Sequence, residues 1–349
     1  MSTKPKVLVA VQQMADREAR YLRPLADAGL DIIMNRTGRA LTEEELLAAL
    51  PGVIATLAGG EPYTARIFED AKELRIVARF GVGYDRIDVP AATRHGVAIA
   101  MAFGTNHESV ADYTLALMLA LGVDLLRHHE QVKGGEWTAD FHHGFWGKTV
   151  GLVGLGRIGK AVARRCHGFA MRILAHEPEP DLAFAREHGI RLVGLGTLLQ
   201  EADFVSLHLP LNAETAGLIN RKRLALMKPS AFLINTARGA IVDEAALAET
   251  LSAGRLAGAG LDAFVIEPPW GSLLLALDNV VVGPHAAGSD ETAEVAMATR
   301  CVHSILAIAR GEDPGLGLVL NPEVLERSTP SVPMRGMRRK EARHESEGE

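Results

Sequence analysis

The sequence predicts an α/β protein with two doubly wound parallel sheets, each covered by helices on both faces. Short apolar runs alternate with longer amphipathic segments along most of the 349 residues, as in strand–helix–strand units. A strand at residues 149–153 runs into a Gly-x-Gly-x-x-Gly motif and then a helix, and it begins a second series of such units. A chain of this length also favours two domains over one.

Composition narrows the class of protein. Hydrophobic residues make up 48% of the chain and aromatic residues 5%, which predicts a globular protein with an aliphatic core. The net charge of −6 argues against a nucleic-acid partner. The two cysteines, Cys166 and Cys301, favour a reducing, cytoplasmic compartment. The N-terminus has no apolar signal segment, and the apolar run 113–123 is too short to span a bilayer, so no membrane partner is predicted.

The first hundred residues predict one series of strands and helices. Gly29 ends the first helix, and a capping box formed by Thr42 and Glu45 begins the second. The predicted strands are residues 6–11, 31–34, 53–57, 75–80 and 97–100, and the predicted helices are residues 16–28, 42–50 and 88–94.

A long helix at residues 109–126 and an aperiodic segment at 128–148 precede the second series. Its predicted strands are residues 149–153, 172–175, 204–208, 231–235, 258–261 and 280–282, and its predicted helices include 158–168 and 292–309. The polar residues 328–349 are predicted to form a disordered tail. The basic run 335–340 within this tail is interpreted as solvated rather than as an anion site.

The glycine-rich motif predicts a dinucleotide site. Gly154 allows the tight turn, Gly156 lets a pyrophosphate approach the backbone, and Gly159 allows close helix–strand packing. The N-terminus of the following helix, where Arg157 lies, favours phosphate groups. Glu177 ends the next strand, where a carboxylate accepts from a ribose 2′-OH and repels a 2′-phosphate, which favours NAD over NADP.

Polar side chains follow three later strands. Arg238 comes after residues 231–235, Asp262 and Glu267 after 258–261, and His285 after 280–282. Ligands of doubly wound sheets lie at the carboxyl ends of the strands. Arginine binds carboxylates in a bidentate way, and a histidine beside a glutamate exchanges a proton. With a nicotinamide, this set suits interconversion of a 2-hydroxy acid and a 2-oxo acid, although each residue taken singly has a structural alternative.

Four segments that contain these residues resemble the D-isomer-specific 2-hydroxyacid dehydrogenase family, most closely its phosphoglycerate dehydrogenase-like members. They are residues 147–159, 235–244, 260–269 and 284–288, and the likeness extends from about residue 53 to residue 325. The resemblance implies an NAD-dependent oxidoreductase that acts on the CH–OH group of a D-2-hydroxy acid. The expected partners are the small acid substrate and NAD, and no metal site is predicted.

The resemblance also implies a role for each matching residue. Arg238 binds the substrate carboxylate and carbonyl, His285 is the acid/base, and Glu267 orients His285. The backbone N–H groups of Val82 and Gly83 bind the substrate carboxylate. The expected cofactor contacts are Val110, Gly154, Gly156, Arg157, Ile158, Gly159, Glu177, Pro210, Thr215, Thr236, Ala237, Arg238, Asp262, His285 and Gly288, of which Asp262 holds the nicotinamide carboxamide.

The domain organisation implied by the resemblance is a Rossmann cofactor domain, residues 106–289, inserted into a flavodoxin-like substrate domain, residues 1–105 and 290–327. The resemblance implies a homodimer in which an arm at residues 127–147 embraces the partner. Trp137, Phe145 and Trp146 are interface candidates, and packing within the monomer is the alternative for each.

Other functions are compatible with the same fold. An NAD-sensing regulator or corepressor keeps the same residue set, so sequence alone leaves it open. Glu267 argues against formate dehydrogenase, and Val82 argues against a phosphite substrate. Phosphoglycerate, glyoxylate, hydroxypyruvate and bulkier acids all remain candidate substrates.

Overall fold

The computed structural model describes residues 4–14, 21–315 and 317–327. Its contacts divide the chain into two compact units, one formed by Met1–Phe103 with Val295–Glu349 and the other by Gly104–Glu294. The predicted tail at 328–349 and residues 16–20 of the first predicted helix lie outside the described residues.

The first unit is built on a five-stranded parallel sheet. Its strands are β1 (Lys6–Val9), β2 (Asp31–Met34), β3 (Val53–Ala58), β4 (Ile76–Arg79) and β5 (Ala98–Met101), and its helices are α1 (Arg23–Asp27), α2 (Glu43–Ala49), α3 (Ala65–Asp70) and α4 (Val89–Arg94). The strand order is β2-β1-β3-β4-β5, a doubly wound order of the flavodoxin type. All five predicted strands are present, and α3 is a helix that the sequence reading did not identify.

Local sequence accounts for the helix boundaries in this unit. The Thr42 side chain accepts from the N–H of Glu45, whose carboxylate accepts from the N–H of Thr42, so the predicted capping box begins α2. The Asp88 side chain accepts from the N–H of Ala91 and caps α4. The chain that returns to this unit is joined to β5 through Asn321, whose Oδ1 accepts from the N–H of Ile99 at 2.9 Å.

The second unit is built on a seven-stranded parallel sheet. Its helices and strands are α5 (His107–Gly122), α6 (Leu125–Lys133), β6 (Thr149–Val153), α7 (Arg157–Gly168), β7 (Arg172–His176), α8 (Leu182–Glu187), β8 (Arg191–Leu192), α9 (Leu195–Glu201), β9 (Phe204–Leu207), α10 (Arg221–Leu224), β10 (Phe232–Asn235), α11 (Glu244–Ser252), β11 (Gly258–Leu261) and β12 (Val280–Val282). The order β12-β11-β10-β9-β6-β7-β8 reverses direction beside β6, as in a Rossmann sheet. The last helix, α12 (Glu291–Ala309), spans the point at which the chain returns to the first unit.

The single long helix predicted at residues 109–126 is wrong, because the chain forms α5 and α6 with a 60° bend between them. Asp124 adopts φ +55°, a left-handed conformation that ends an α-helix and that aspartate tolerates better than most residues. Residues 128–133 of the segment predicted to be aperiodic are therefore helical, as part of α6. Among the described residues no single helix is long and apolar enough to cross a membrane, and α5 and α6 pass such a test only as this bent pair.

Buried aliphatic side chains cover both faces of the second sheet. Helix α5 buries Ala111, Leu115 and Met118 in the cluster that also contains Phe145. Phe145 is only 7% exposed, and its ring lies 4.8 Å from that of Phe204, centroid to centroid. The proposal that Phe145 is an interface residue is therefore wrong, because its side chain packs inside its own unit. Trp137 and Trp146, in contrast, are 90% and 87% exposed.

Candidate active site

The glycine-rich loop between β6 and α7 has the geometry of a phosphate-binding turn. Gly154 has φ +101°, and a Cβ there would lie 2.3 Å from the carbonyl oxygen of His208. A Cβ on Gly159 would lie 2.2 Å from the carbonyl oxygen of Gly154. These two glycines are thus required by the fold itself, because any side chain would collide with backbone atoms.

Gly156 differs from its two neighbours in the motif. A Cβ there would meet no heavy atom of the described chain within 4 Å, and φ is an ordinary −72°. Gly156 is exposed, it is the N-cap of α7, and no side chain caps this helix end. The open space in front of an uncapped helix N-terminus fits a pyrophosphate, which explains the glycine by a ligand rather than by the fold. Arg157 is exposed and Ile158 half-buried in the same turn.

Glu177 lies beside this loop, as the motif predicts. Its Oε2 accepts a hydrogen bond from the N–H of Leu155 at 2.8 Å, and Glu177 itself is half-buried. The carboxylate at the end of β7 is therefore held against the glycine-rich turn, in the position where a Rossmann sheet receives the adenosine ribose.

His285 and Glu267 form a hydrogen-bonded pair. Nδ1 of His285 lies 2.8 Å from Oε1 of Glu267, and that oxygen also accepts from the N–H of Phe264 at 3.0 Å. A carboxylate accepts hydrogen bonds, so the Nδ1 N–H donates and Nε2 is the atom that can exchange a proton with a ligand. The His285 side chain is 44% exposed, so a small ligand can reach it.

The loop that carries His285 is strained and clamped. His285 adopts φ +57°, which costs a residue with a Cβ about 1–3 kcal/mol. The two following amides are held by Asp262, whose Oδ1 accepts from Ala286 at 3.0 Å and whose Oδ2 accepts from Ala287 at 2.8 Å. Burial raises the pKa of Asp262 above its usual range, although both amides oppose this shift. Asp262 therefore fixes the backbone next to His285, a role that the sequence reading had not assigned to it.

Arg238 lies at the carboxyl end of the neighbouring strand. Its Nη1 donates to the carbonyl of Ala237 at 2.7 Å, and the side chain is half-buried. The buried Asn235 shapes this turn, since its Oδ1 accepts from the N–H of Ala237 and its Nδ2 donates to the carbonyl of Arg238. A Cβ on Gly239 would lie 2.0 Å from the carbonyl carbon of Phe264, so the Arg238 turn packs directly on the segment that holds Glu267.

The remaining predicted cofactor residues of this unit lie on the loops around the same sheet edge or on α5. Val110 is buried in the first turns of α5. Thr114 lies on the same helix, and its hydroxyl is 3.0 Å from the hydroxyl of Thr236, which follows β10. The hydroxyl of Thr215 donates to the carbonyl of Pro210 at 2.6 Å, so these two residues close one loop after β9. A Cβ on Gly288 would lie 2.7 Å from Nδ2 of Asn106.

The predicted substrate loop lies in the first unit, where Arg79 holds it from within. Its guanidinium donates to the carbonyl of Gly83 at 3.0 Å, of Phe80 at 2.6 Å and of Ala58 at 3.3 Å. Arg86, at the other end of the loop, donates to the carbonyl of Gly60 at 3.0 Å. The side chains of both arginines are thus engaged with backbone carbonyls, and Val82 and Gly83 are half-buried between them.

Comparisons with known proteins show the family of the chain. The family model described as "D-isomer specific 2-hydroxyacid dehydrogenase, NAD binding domain" matches residues 115–287. A glyoxylate reductase of Korarchaeum cryptofilum is 43% identical over 261 residues, which are 73% of this chain and 79% of that protein. The chain belongs to the D-isomer-specific 2-hydroxyacid dehydrogenase family. The second unit is accordingly its NAD-binding domain, and NAD is its cofactor.

Two further relatives of this dehydrogenase bear on its substrate and its cofactor. A D-3-phosphoglycerate dehydrogenase of Methanocaldococcus jannaschii is 39% identical over 276 residues, which are 78% of this chain but only 53% of that protein. The structure of D-lactate dehydrogenase from Aquifex aeolicus, complexed with NAD and lactic acid, has a TM-score of 0.80 at 26% identity and covers 90% of this chain and 99% of that one. The family is thus shared by enzymes named for several different acids.

Two residues of this site were missed by sequence reasoning. Asn235 stood in a recognised motif without a role, and Tyr113, whose hydroxyl bonds to Asp262, was read only as part of an apolar helix. The available signal for Tyr113 was its polar hydroxyl at the start of the apolar run 113–123.

Proposed function

We propose that this dehydrogenase interconverts a small, unphosphorylated D-2-hydroxy acid and its 2-oxo acid with NAD, with His285 as the acid/base. The observation that carries the proposal is the His285–Glu267 hydrogen bond, which lies at the same carboxyl edge of the sheet as the dinucleotide loop. A charge-paired histidine with one exposed ring nitrogen is the group that an alcohol–carbonyl interconversion requires.

The residues have the following roles in the direction of reduction. NADH supplies the hydride when it is bound. Nε2 of His285 donates a proton to the substrate oxygen, and Glu267 stabilises the protonated imidazole before that transfer. The planar guanidinium of Arg238 binds the substrate carboxylate and polarises the carbonyl. In the first unit, we assign the backbone N–H groups of Val82 and Gly83 to the same carboxylate.

The preference for an unphosphorylated acid is supported by the substrate loop. A phosphate carries nearly two charges at neutral pH and needs cations placed to bind it. The arginines that flank this loop, Arg79 and Arg86, instead donate to backbone carbonyls of their own unit. Glyoxylate and hydroxypyruvate are acids of suitable size, and the 43% identity with a glyoxylate reductase favours this class.

The preference for NAD over NADP is supported by Glu177. Its carboxylate lies against the N–H of Leu155, beside the turn that receives the dinucleotide. A 2′-phosphate brought to this place would meet a negative charge, whereas a 2′-hydroxyl can donate to it.

The oligomeric state is a further part of this proposal. We infer a homodimer through the arm at residues 127–147, because Trp137 and Trp146 are almost fully exposed in the described chain. Exposed aromatic side chains of this size are characteristic of protein interfaces. We also propose that the first unit is the substrate domain and that the protein works in the cytoplasm.

The test is a set of initial rates of NADH oxidation with glyoxylate, hydroxypyruvate, pyruvate and phosphohydroxypyruvate, each repeated with NADPH. We expect turnover with the first two acids, a kcat/KM at least about tenfold lower for phosphohydroxypyruvate, and a preference for NADH. Oxidation of D- but not L-hydroxy acids by NAD is expected in the reverse direction. A preference for the phosphorylated acid would contradict the substrate assignment, and NADH binding without turnover of any acid would indicate a regulator instead.

A further inference from the structure

The N-cap and one face of α5 contact the segments around His285 at three places. At the N-cap, Asn106 lies under Gly288, with 2.7 Å between its Nδ2 and the position of a Cβ on that glycine. One turn later the Ser109 hydroxyl bonds to the carboxylate of Asp290, and Oδ1 of Asp290 accepts from the N–H of Ala293 to cap α12. The loop between β12 and α12 therefore rests on α5.

Tyr113 makes the third contact, and it reaches Asp262. Its phenol hydroxyl faces the Asp262 carboxylate, and burial raises the pKa of Tyr113, so the phenol stays protonated and is the donor between the two groups. A Cβ on Gly283 would lie 2.3 Å from both the Tyr113 hydroxyl and Oδ1 of Asp262. Only a glycine at the end of β12 leaves room for the two groups to meet.

The Asp262 carboxylate thus receives three donors within its own unit. Two are the amides of Ala286 and Ala287, directly after the strained His285, and the third is the phenol of Tyr113. Asp262 is only 1% exposed, so solvent cannot replace a lost donor.

We propose that Tyr113 is a positioning residue for the catalytic histidine: its hydroxyl fixes Asp262, and Asp262 fixes the backbone that presents His285. This proposal rests on the proposed function for its kinetic consequence, but the structural consequence can be measured without turnover. The expected path from Tyr113 to the reacting atoms runs through Asp262 and the amides that follow His285.

The first test is hydrogen exchange of the amides in residues 284–290 in Tyr113→Phe, which removes the hydroxyl and keeps the ring. We expect faster exchange of Ala286 and Ala287 by about tenfold, with an unchanged melting temperature within a few degrees. The matched control is Thr250→Val, which removes a hydroxyl that donates to the Ala246 carbonyl inside α11 of the same unit. Exchange in residues 284–290 should not change in that variant. Unchanged exchange in Tyr113→Phe would overturn the proposal, whatever the enzyme turns over.

The second test is kinetic and separates positioning from packing. We expect Tyr113→Phe to lower kcat by about tenfold with a smaller change in the KM of the oxo acid, and Thr250→Val to keep both. In an Asp262→Asn background the further effect of Tyr113→Phe should fall below about twofold, because the path through the carboxylate is already broken. Fully additive effects would mean that Tyr113 acts independently of Asp262 and would overturn the proposal. A wild-type enzyme inert toward every acid would defeat the proposed function while leaving the exchange test valid.

Discussion

One oxygen of Glu267 joins two strand-end segments: Oε1 lies 2.8 Å from Nδ1 of His285 and 3.0 Å from the amide nitrogen of Phe264. The amide fixes the carboxylate, and the carboxylate fixes the imidazole ring. His285 is therefore oriented from two sides, by this side-chain pair and by the Asp262 clamp on the amides that follow it. Orientation of this kind lets one ring nitrogen exchange protons with a bound acid.

Replacing Glu267 by glutamine should slow reduction by about 10- to 100-fold, because the neutral amide keeps a hydrogen-bond acceptor but loses the charge that stabilises a protonated imidazole. The measurement is kcat for NADH oxidation between pH 6 and 8. Glu187→Gln, at an exposed position on α8, is the control. A rate equal to wild type across this range would contradict the role.

The glycine-rich loop gives a prediction that separates ligand binding from folding. Gly156→Ala should weaken NADH binding by tenfold or more, at an estimated cost of about 1–2 kcal/mol, while leaving the melting temperature unchanged, because its Cβ meets only open space. Gly154→Ala should instead destabilise the fold by more than about 1 kcal/mol, since it combines φ +101° with a collision against His208.

The readouts are NADH fluorescence titration and thermal melting on the same samples. Gly196→Ala is the control, because that glycine lies in α9 with no neighbour within 4 Å of its Cβ, and alanine favours helices. Undiminished NADH affinity in Gly156→Ala would contradict the assignment of this space to the pyrophosphate.

The substrate loop gives a prediction about Arg79. Arg79→Lys keeps the charge beside the buried Glu61 but loses the planar fork that binds the carbonyls of Gly83 and Phe80. The KM for the oxo acid should rise by about tenfold with a smaller change in kcat, because the loop is loosened and the acid/base is untouched. Arg75→Lys, an exposed arginine just before β4, should leave both constants unchanged. A change in kcat alone would show that Arg79 acts on the chemistry instead.

A pH prediction concerns His208, which follows β9 and bonds to the Ser206 hydroxyl at 2.8 Å. Burial lowers the pKa of His208 to about 3. The folded value lies below the unfolded value of about 6.5, so the unfolded chain binds the extra proton first as pH falls. The contribution of neutral His208 to the free energy of unfolding is fully present above about pH 6.5. It is lost as the pH falls from about 6.5 to about 3.

The measurement is the urea midpoint of the cofactor-free protein at pH 7 and pH 5. His208→Gln keeps a partner for Ser206 without a titrating group, so the drop in stability between these pH values should shrink by about 1–2 kcal/mol. An equal drop in the two proteins would show that His208 is not buried in its neutral form.

The sequence could predict the parts of this fold and site that depend on neighbouring residues. The strand, glycine turn and helix around Gly154 and Gly159 follow one another along the chain, and so do the polar residues placed just past β10, β11 and β12. The break between α5 and α6 could not be predicted in this way. Gly122 is buried against Phe145, and Asp124 adopts a left-handed conformation that the neighbouring residues do not predict.

Contacts between distant segments set the rest of the site. Tyr113 and Asp262 are far apart in the chain and are brought together only by the packing of α5 on the sheet. Phe145 was an interface candidate because it lies in the arm at residues 127–147 that the family resemblance implies, whereas its ring fills the core beside Phe204. The carbonyl contacts of Arg79 and Arg86, on which the proposal of an unphosphorylated substrate rests, also required the structure.

The central claim is most directly tested by the initial rate of NADH oxidation with glyoxylate and hydroxypyruvate in wild type and in His285→Ala, at saturating NADH, with the exposed His303→Ala as the control. We expect wild type and His303→Ala to turn over at least one of these acids, and His285→Ala to lose about 10²- to 10⁴-fold in kcat while still binding NADH. A His285→Ala enzyme that reduces the acid as fast as wild type would contradict it.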